Sequence, residues 1–368
     1  GMGGSMTMLP DAVENTVGNS EVTWEKVRKQ NYGIDLKMFG ARLSLTADYF
    51  FEHRYDILST RNTLPSIVAI ELPLINLGEV DNRGYEISLG WNSRTEKIDW
   101  WVQGNVSYSK NKIIFMDEVM PNYPWMAQTG RSTGLNYGYR FDRFLRADDF
   151  DADGALKTDG EGKPLLPVMS LGSPRPGDAL FKDLNGDGKI DGNDKTYFGY
   201  SQRPDYVLGL LGGFRYKNFE ISMQWTAGLH ASRMLSGEYR NAFGSTNGRA
   251  LLKFLADGRW TPENPDARFP RLTFLNKSHY LEDSDLWLMD GSYLRLKVAE
   301  IGYTFRDIPA FRKVGVKSLK VYFSGYNLLT LFSDLNDIDI DPEGATSGSN
   351  IDSYPNVRIF NFGVNITF

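Results

Sequence analysis

Apolar side chains recur at every second position along run after run of this chain, a period of two that only extended strands with unlike faces can use. In RLSLTADYFFE, Leu43, Leu45, Ala47, Tyr49 and Phe51 fall on one face, and Ser44, Thr46, Asp48, Phe50 and Glu52 on the other. NYGIDLKMF alternates in the same way, and the break at Phe39 and Gly40 makes the two a hairpin. GYEISLGW and WWVQGNVSYS follow, then YVLGLLGGFRY and FEISMQW, joined at Lys217 and Asn218. SYLRLKVAEIGYTF carries Leu294, Leu296 and Val298 on one phase and Ile301, Tyr303 and Phe305 on the other, which predicts a β-bulge near Ala299. LKVYFSGYN and the terminal FNFGVNITF complete the set, the last with Phe360, Phe362, Val364, Ile366 and Phe368 in phase.

About nine long strands result, and their connections alternate between short and long. Short links lie at Phe39, Ser93 and Asn218 and from Asp307 to Val316. Long ones run from His53 to Gly78, Ile113 to Arg203, Leu229 to Asp290 and Leu331 to Pro355. All the long links fall at one end, as in an up-and-down barrel with tight turns at one rim and large loops at the other. A soluble β-sandwich alternates too. However, Tyr49, Phe51, Trp91, Trp100, Tyr108, Trp225, Tyr303 and Phe305 stand at the ends of the apolar faces, where a bilayer wall carries aromatic girdles. The opposite faces are rich in Ser, Thr, Asn, Gln, acids and Gly, which suits a watery bore. The expected fold is therefore all-β, an antiparallel up-and-down transmembrane β-barrel with membrane strands of about 9 to 11 residues. Hydrocarbon tolerates no unpaired backbone group, so such a sheet must close, and nine antiparallel strands cannot close alone. Residues 1–368 thus read as part of a barrel, with 113–203 as a long external loop.

Composition removes other classes. A net charge of -5 with scattered Lys and Arg gives no footprint for nucleic acid. No run approaches the roughly 18 apolar residues of a membrane helix. Cysteine is absent, which excludes disulfides and thiolate metal sites. GMGGSMTMLPD lacks the basic start and apolar core of a signal peptide, so the chain is expected to be either cytosolic or a piece of something longer.

DLNGDGKIDGND carries the sharpest local chemistry. Asp183, Asn185, Asp187 and Asp191 occupy ligand positions of a calcium loop, Lys189 offers its carbonyl, Gly188 takes the sharp turn and Asp194 closes the loop. Gly186 and an Asp in place of the closing Glu depart from the pattern. The reading is a structural calcium site; the alternative is a Gly/Asp-rich turn without metal. DDFDADG and DIDIDPEG lack the spacing and read as solvated loops. His53, His230 and His279 are isolated, and no nucleophile or phosphate motif opens a helix, so nothing indicates an enzyme. Tyr123, Trp125, Tyr137, Tyr139, Trp260, Tyr280 and Trp287 lie in the external links. They are candidates for stacking on substrate or partner, or equally for the small cores that keep large loops folded.

Taken together and in order, TWEKVRKQNYGIDLKMFGARLSLTADYF, NLGEVDNRGYEISLGW, DLNGDGKIDGNDKTYFG, WTPENPDARFPR, DGSYLRLKVAEIGYTF, VYFSGYNLLTLF and FNFGVNITF resemble the C-terminal part of SusC/RagA-type TonB-dependent outer-membrane transporters of Bacteroidetes. The resemblance covers nearly the whole chain. It implies a longer protein in which a signal peptide, TonB box and plug precede a barrel of roughly 22 strands. It also implies residence in outer-membrane lipid, a SusD-like surface lipoprotein over the external loops, and energy from the TonB complex through the plug. The implied cargo is an oligosaccharide ahead of a peptide. The terminal strand, Phe360, Phe362, Val364, Ile366 and Phe368, would be the signal read by the barrel-assembly machinery. The alternative is a soluble extracellular calcium-binding β module that binds glycans.

Overall fold

A computed structural model describes residues 18–61, 73–95, 97–170, 172–243, 251–274, 278–306, 308–313, 315–344 and 355–368. Nine long strands form one sheet: β1 Lys26–Met38, β2 Leu43–Ser59, β3 Ile75–Arg94, β4 Ile98–Phe115, β5 Tyr206–Tyr216, β6 Phe219–Leu229, β7 Tyr293–Arg306, β8 Ser318–Leu331 and β9 Ile359–Thr367. Each pairs antiparallel with its chain neighbours, and among the described residues β1 and β9 have a partner on one side only. The sheet is an open, up-and-down wall. No helix among the described residues is long and apolar enough to cross a membrane.

Directly paired residues in an antiparallel ladder share a face, so register tells which side each lines. One row runs through Leu36, Leu45, Leu89, Gly104, Leu210, Trp225, Leu296 and Leu329. The neighbouring row on the other face runs through Asp35, Thr46, Ser88, Asn105, Gly209, Thr226, Arg295 and Thr330. The apolar face lies open: Ile34 is 51% exposed, Leu89 50% and Phe362 72%. Among the described residues no second sheet covers it, as a soluble sandwich would require. The stripes point outward, where only lipid can satisfy them.

The apolar band also slants. On β1 it runs from Tyr32 to Met38, and on β9 from Phe360 to Phe368, yet Phe360 stands in the same register row as Met38. Across the wall it has slid by the span from Tyr32 to Met38, about 20 Å at 3.4 Å per residue. A band level with the membrane can do this only if the strands tilt, as barrel strands must. Its upper edge on five strands is a tyrosine row: Tyr32, Tyr49, Tyr85, Tyr108 and Tyr206.

One expectation needs correction and another gains a precise position. β2, β3 and β4 are 17, 20 and 18 residues long, well beyond a membrane crossing. Cross-strand pairing continues above the apolar band through a register shift at Asp56 (φ 55), so much of the expected His53 to Gly78 link is strand. The bulge expected near Ala299 is present and lies at Lys297: Trp225 pairs with Leu296 and Gln224 with Val298. It returns Leu294 and Leu296 to the outer face with Ile301, Tyr303 and Phe305, and turns Val298 inward beside Gln224.

On the inner face, three bulky rings each stand directly opposite a glycine: Phe50 on Gly84, Trp101 on Gly213 and Tyr322 on Gly363. A Cβ at those glycines would lie 2.6, 2.4 and 2.3 Å from the respective ring, so each ring lies across its glycine. The buried core of the molecule lies elsewhere, in the external links.

Candidate functional site

Three long links, 116–205, 230–292 and 332–358, gather at the loop end of the wall. Their side chains form one apolar core around Trp287, Phe181, Leu235, Leu255 and Leu335, all 2% exposed or less. Three of the loop aromatics lie in this core. Tyr139, Trp260 and Trp287 are buried in it and show no ring face to a ligand. Tyr139 stacks on Phe181 at 4.9 Å with the Lys195 ammonium over its ring, and burial pushes its phenol up to about 12. Tyr137 is half-buried against Tyr197. The Tyr280 side chain lies outside the described residues.

Tyr123 and Trp125 are brought to the calcium-type loop, a juxtaposition that sequence reasoning missed. Their rings stack at 4.5 Å and 9°. Trp125 Nε1 donates to Asn193 O at 2.9 Å, and Asn185 Nδ2 donates to the Tyr123 hydroxyl at 3.4 Å. The loop itself is organised by its own amides. Asp183 accepts from Gly186 (2.7 Å) and Gly188 (2.8 Å), Asp187 from Lys189 (2.8 Å) and Asp191 from Asn193 (2.8 Å). Asp194 accepts from Leu184 and Asp191. Gly186 (φ 74) and Gly188 (φ 82) take left-handed turns. Asp194 is fully buried, and burial above all, with Asp183 nearby, pushes its carboxyl above the usual range. Among the described residues no three acidic or histidine side chains converge on a metal position.

The run DIDIDPEG is not a solvated loop, contrary to expectation. Asp341 and Glu343 fold back onto Arg295 of β7, whose guanidinium donates to Asp341 Oδ1 at 2.9 Å, Glu343 Oε2 at 2.8 Å and Thr330 Oγ1 at 3.0 Å. Lys297 adds a contact to Glu343 at 2.6 Å. The described residues of this link up to Gly344 are thereby latched to the inner wall. DDFDADG is closer to expectation: Asp148, Asp151 and Asp153 are exposed, Asp149 is engaged by Arg143 at 2.7 and 2.9 Å, and Asp151 accepts only from the nearby Asp153 and Ala155 amides. The histidines are scattered: His53 bonds Asp81, His230 stacks on Tyr200, and His279 is buried against the Gly172 carbonyl.

A family model described as TonB dependent receptor-like, beta-barrel, matches residues 4–328. The chain belongs to that family. Its place is the outer membrane, and the open sheet with an outward apolar face is a stretch of TonB-dependent receptor barrel wall. The chain is 30% identical over 377 residues to TonB-dependent receptor P3 of Formosa agariphila, covering 95% of this chain and 35% of that protein. It is 24% identical over 361 residues to TonB-dependent receptor SusC of Bacteroides thetaiotaomicron, covering 95% of this chain and 32% of the relative. It therefore spans about a third of the length of these relatives. The RagAB peptide transporter has the same fold at TM-score 0.68 and 20% identity, over 96% of this chain and 36% of that one. In this receptor wall Phe360, Phe362, Val364 and Ile366 form the outward face of β9, Phe368 follows just beyond the strand, and Phe360 is stacked near Phe323 at 6.0 Å.

Proposed function

We propose that the chain is the C-terminal wall of a SusC-like importer, which carries nutrients across the outer membrane on TonB-derived energy. The observation that carries the proposal is the open wall with its lipid-facing band, roofed by loops that share one core. In the whole protein those loops would meet a SusD-like surface lipoprotein, and a plug would fill the bore. Catalysis has no part in this reading. The cargo would be an oligosaccharide, or a peptide as for the RagAB peptide transporter. Deletion of the gene that encodes this wall, followed by growth on defined oligosaccharides and on defined peptides, tests the reading. Loss of growth on one class names the cargo, whereas unimpaired growth and uptake on both would refute import of either.

Calcium is part of the same proposal. Asp183, Asn185, Asp187, the Lys189 carbonyl, Asp191 and Asp194 would hold the ion. Their spacing, the two left-handed glycines and the buried Asp194 carboxyl support it, and binding would draw together side chains that do not converge in this structure. A bound divalent cation would neutralise the Asp194 carboxylate and fasten the link 116–205. The terminal β9 strand would serve as the barrel-assembly signal, with Phe368 at its end.

A further inference from the structure

Just above the tyrosine row, the outward face of the wall changes character. Arg83 and Lys110 are direct register partners on β3 and β4, one outward position beyond Tyr85 and Tyr108. Like charges directly opposite one another destabilise a sheet unless a counter-charge is supplied. Both side chains are exposed, as is Lys112, the next outward residue on β4. Arg83 and Lys112 make no hydrogen bond or ion pair among the described residues. Lys110 reaches Asp205 only at 3.6 Å.

The external link folds down over this spot. Gly130 and Arg131 pair with Ile113, and together with Tyr200 and Ser201 they roof a cleft of about 470 Å³ against Phe51, Arg83 and Lys110. The charged groups facing it are Arg83, Lys110, Lys112 and Arg131 against Asp81 and Asp205. Asp81 is already committed to His53 at 2.7 Å. Arg131 is held by the carbonyls of Ala127 (2.7 Å) and Trp125 (3.1 Å) and lies over the Tyr197 ring. The balance is cationic, centred on the facing Arg83 and Lys110.

Height decides what fills the cleft. Tyrosine belts sit at headgroup level, and Arg83 and Lys110 stand about 7 Å further along the strands, on the lipid side and toward the external loops. A cationic cleft there meets the headgroups of the outer leaflet. We propose that the cleft between Arg83 and Lys110 binds the phosphate of an outer-leaflet lipid headgroup, with the Arg83 fork on two of its oxygens and the Lys110 ammonium on a third.

The test uses the detergent-purified receptor that contains this wall, titrated with diphosphorylated lipid A, with the same lipid stripped of phosphate, and with inorganic phosphate alone. The expected result is binding of the phosphorylated lipid that falls at least tenfold in Arg83→Gln/Lys110→Gln. Lys37→Gln, a cation on the inner face, should leave it unchanged, and the stripped lipid should bind at least tenfold more weakly. Heat-modifiable gel mobility reports whether the double variant is folded. Should it not fold, wild-type binding at low and high salt replaces it, and an exposed ionic site must weaken as salt rises. Equal binding by the double variant, salt-insensitive binding, or equal binding of stripped lipid would overturn the site. Inorganic phosphate that binds as tightly as the lipid would assign the cleft to a free anion and also overturn the lipid proposal.

Discussion

Arg295 offers the most informative single perturbation. Its side chain is 4% exposed, and its partners Asp341 and Glu343 are 9% and 18% exposed. Arg295→Ala deletes three hydrogen bonds, two of them to carboxylates, and leaves those carboxylates facing one another. Removing one member of a buried ion pair typically costs about 3–5 kcal/mol. Lys297 and the Asn356 amide stay on Glu343, which argues for the lower end, about 3 kcal/mol. At about 1.36 kcal/mol per decade, that is roughly a hundredfold rise in local opening of the latch. Hydrogen exchange on the detergent-solubilised receptor would read it at the Glu343, Gly344 and Asn356 amides, which bond to Asp341. Protection should collapse there, while amides of the β7–β8 ladder near Ile301 and Phe323 stay protected. Arg295→Met with Asp341→Asn should recover part of the loss, since it keeps the Lys297–Glu343 pair and leaves no buried charge unpaired. A change below threefold at the three amides, or an equal loss across the wall, would refute the latch.

Other expectations follow from the same geometry. Without calcium, loop stability should fall as pH rises above the ordinary carboxylate range, because the folded state holds the Asp194 proton more tightly than the unfolded state does. Calcium should remove that fall, by about 2.7 kcal/mol at a hundredfold excess over Kd, and Asp183→Ala with Asp187→Ala should abolish the gain; coincident melts with and without chelator would refute the site. Trp287→Ala should cost about 3–5 kcal/mol, concentrated in the loops and measurable by thermal melting followed through near-UV circular dichroism. Gly84→Ala would place a Cβ 2.0 Å from the Tyr108 carbonyl oxygen, so heat-modifiable gels should show folded barrel lost. Phe368→Ala should lower the amount of receptor recovered from the outer membrane without changing synthesis, as quantitative blotting of fractions would show.

The wall was legible because a face that meets lipid permits few exceptions. Leu43, Leu45 and Ala47 could be placed from sequence since a one-residue slip would turn them all into the bore. Pairing above the band escaped notice because its polar residues, such as Asn76 and Asp81, obey no alternation once both faces are wet. The bulge at Lys297 shows how phase alone leaves an insertion uncertain by two residues: only the partners Gln224 and Trp225 fix it. DIDIDPEG looked solvated because its acids are local in sequence while their cation, Arg295, comes from β7. Tyr139 and Trp287 could not be assigned for the same reason, since the core that buries them is assembled from three separate links.

Because Phe50, Trp101 and Tyr322 recline across glycines, each takes up little more than the thickness of an aromatic ring from the clearance of the channel, about 3.5 Å. Filling any of those glycines would tip the ring toward the axis. In the proposed importer, a side chain standing upright there would obstruct whatever slid past, cargo or movable stopper, so smoothness of such a passage would depend on what is missing at Gly84, Gly213 and Gly363.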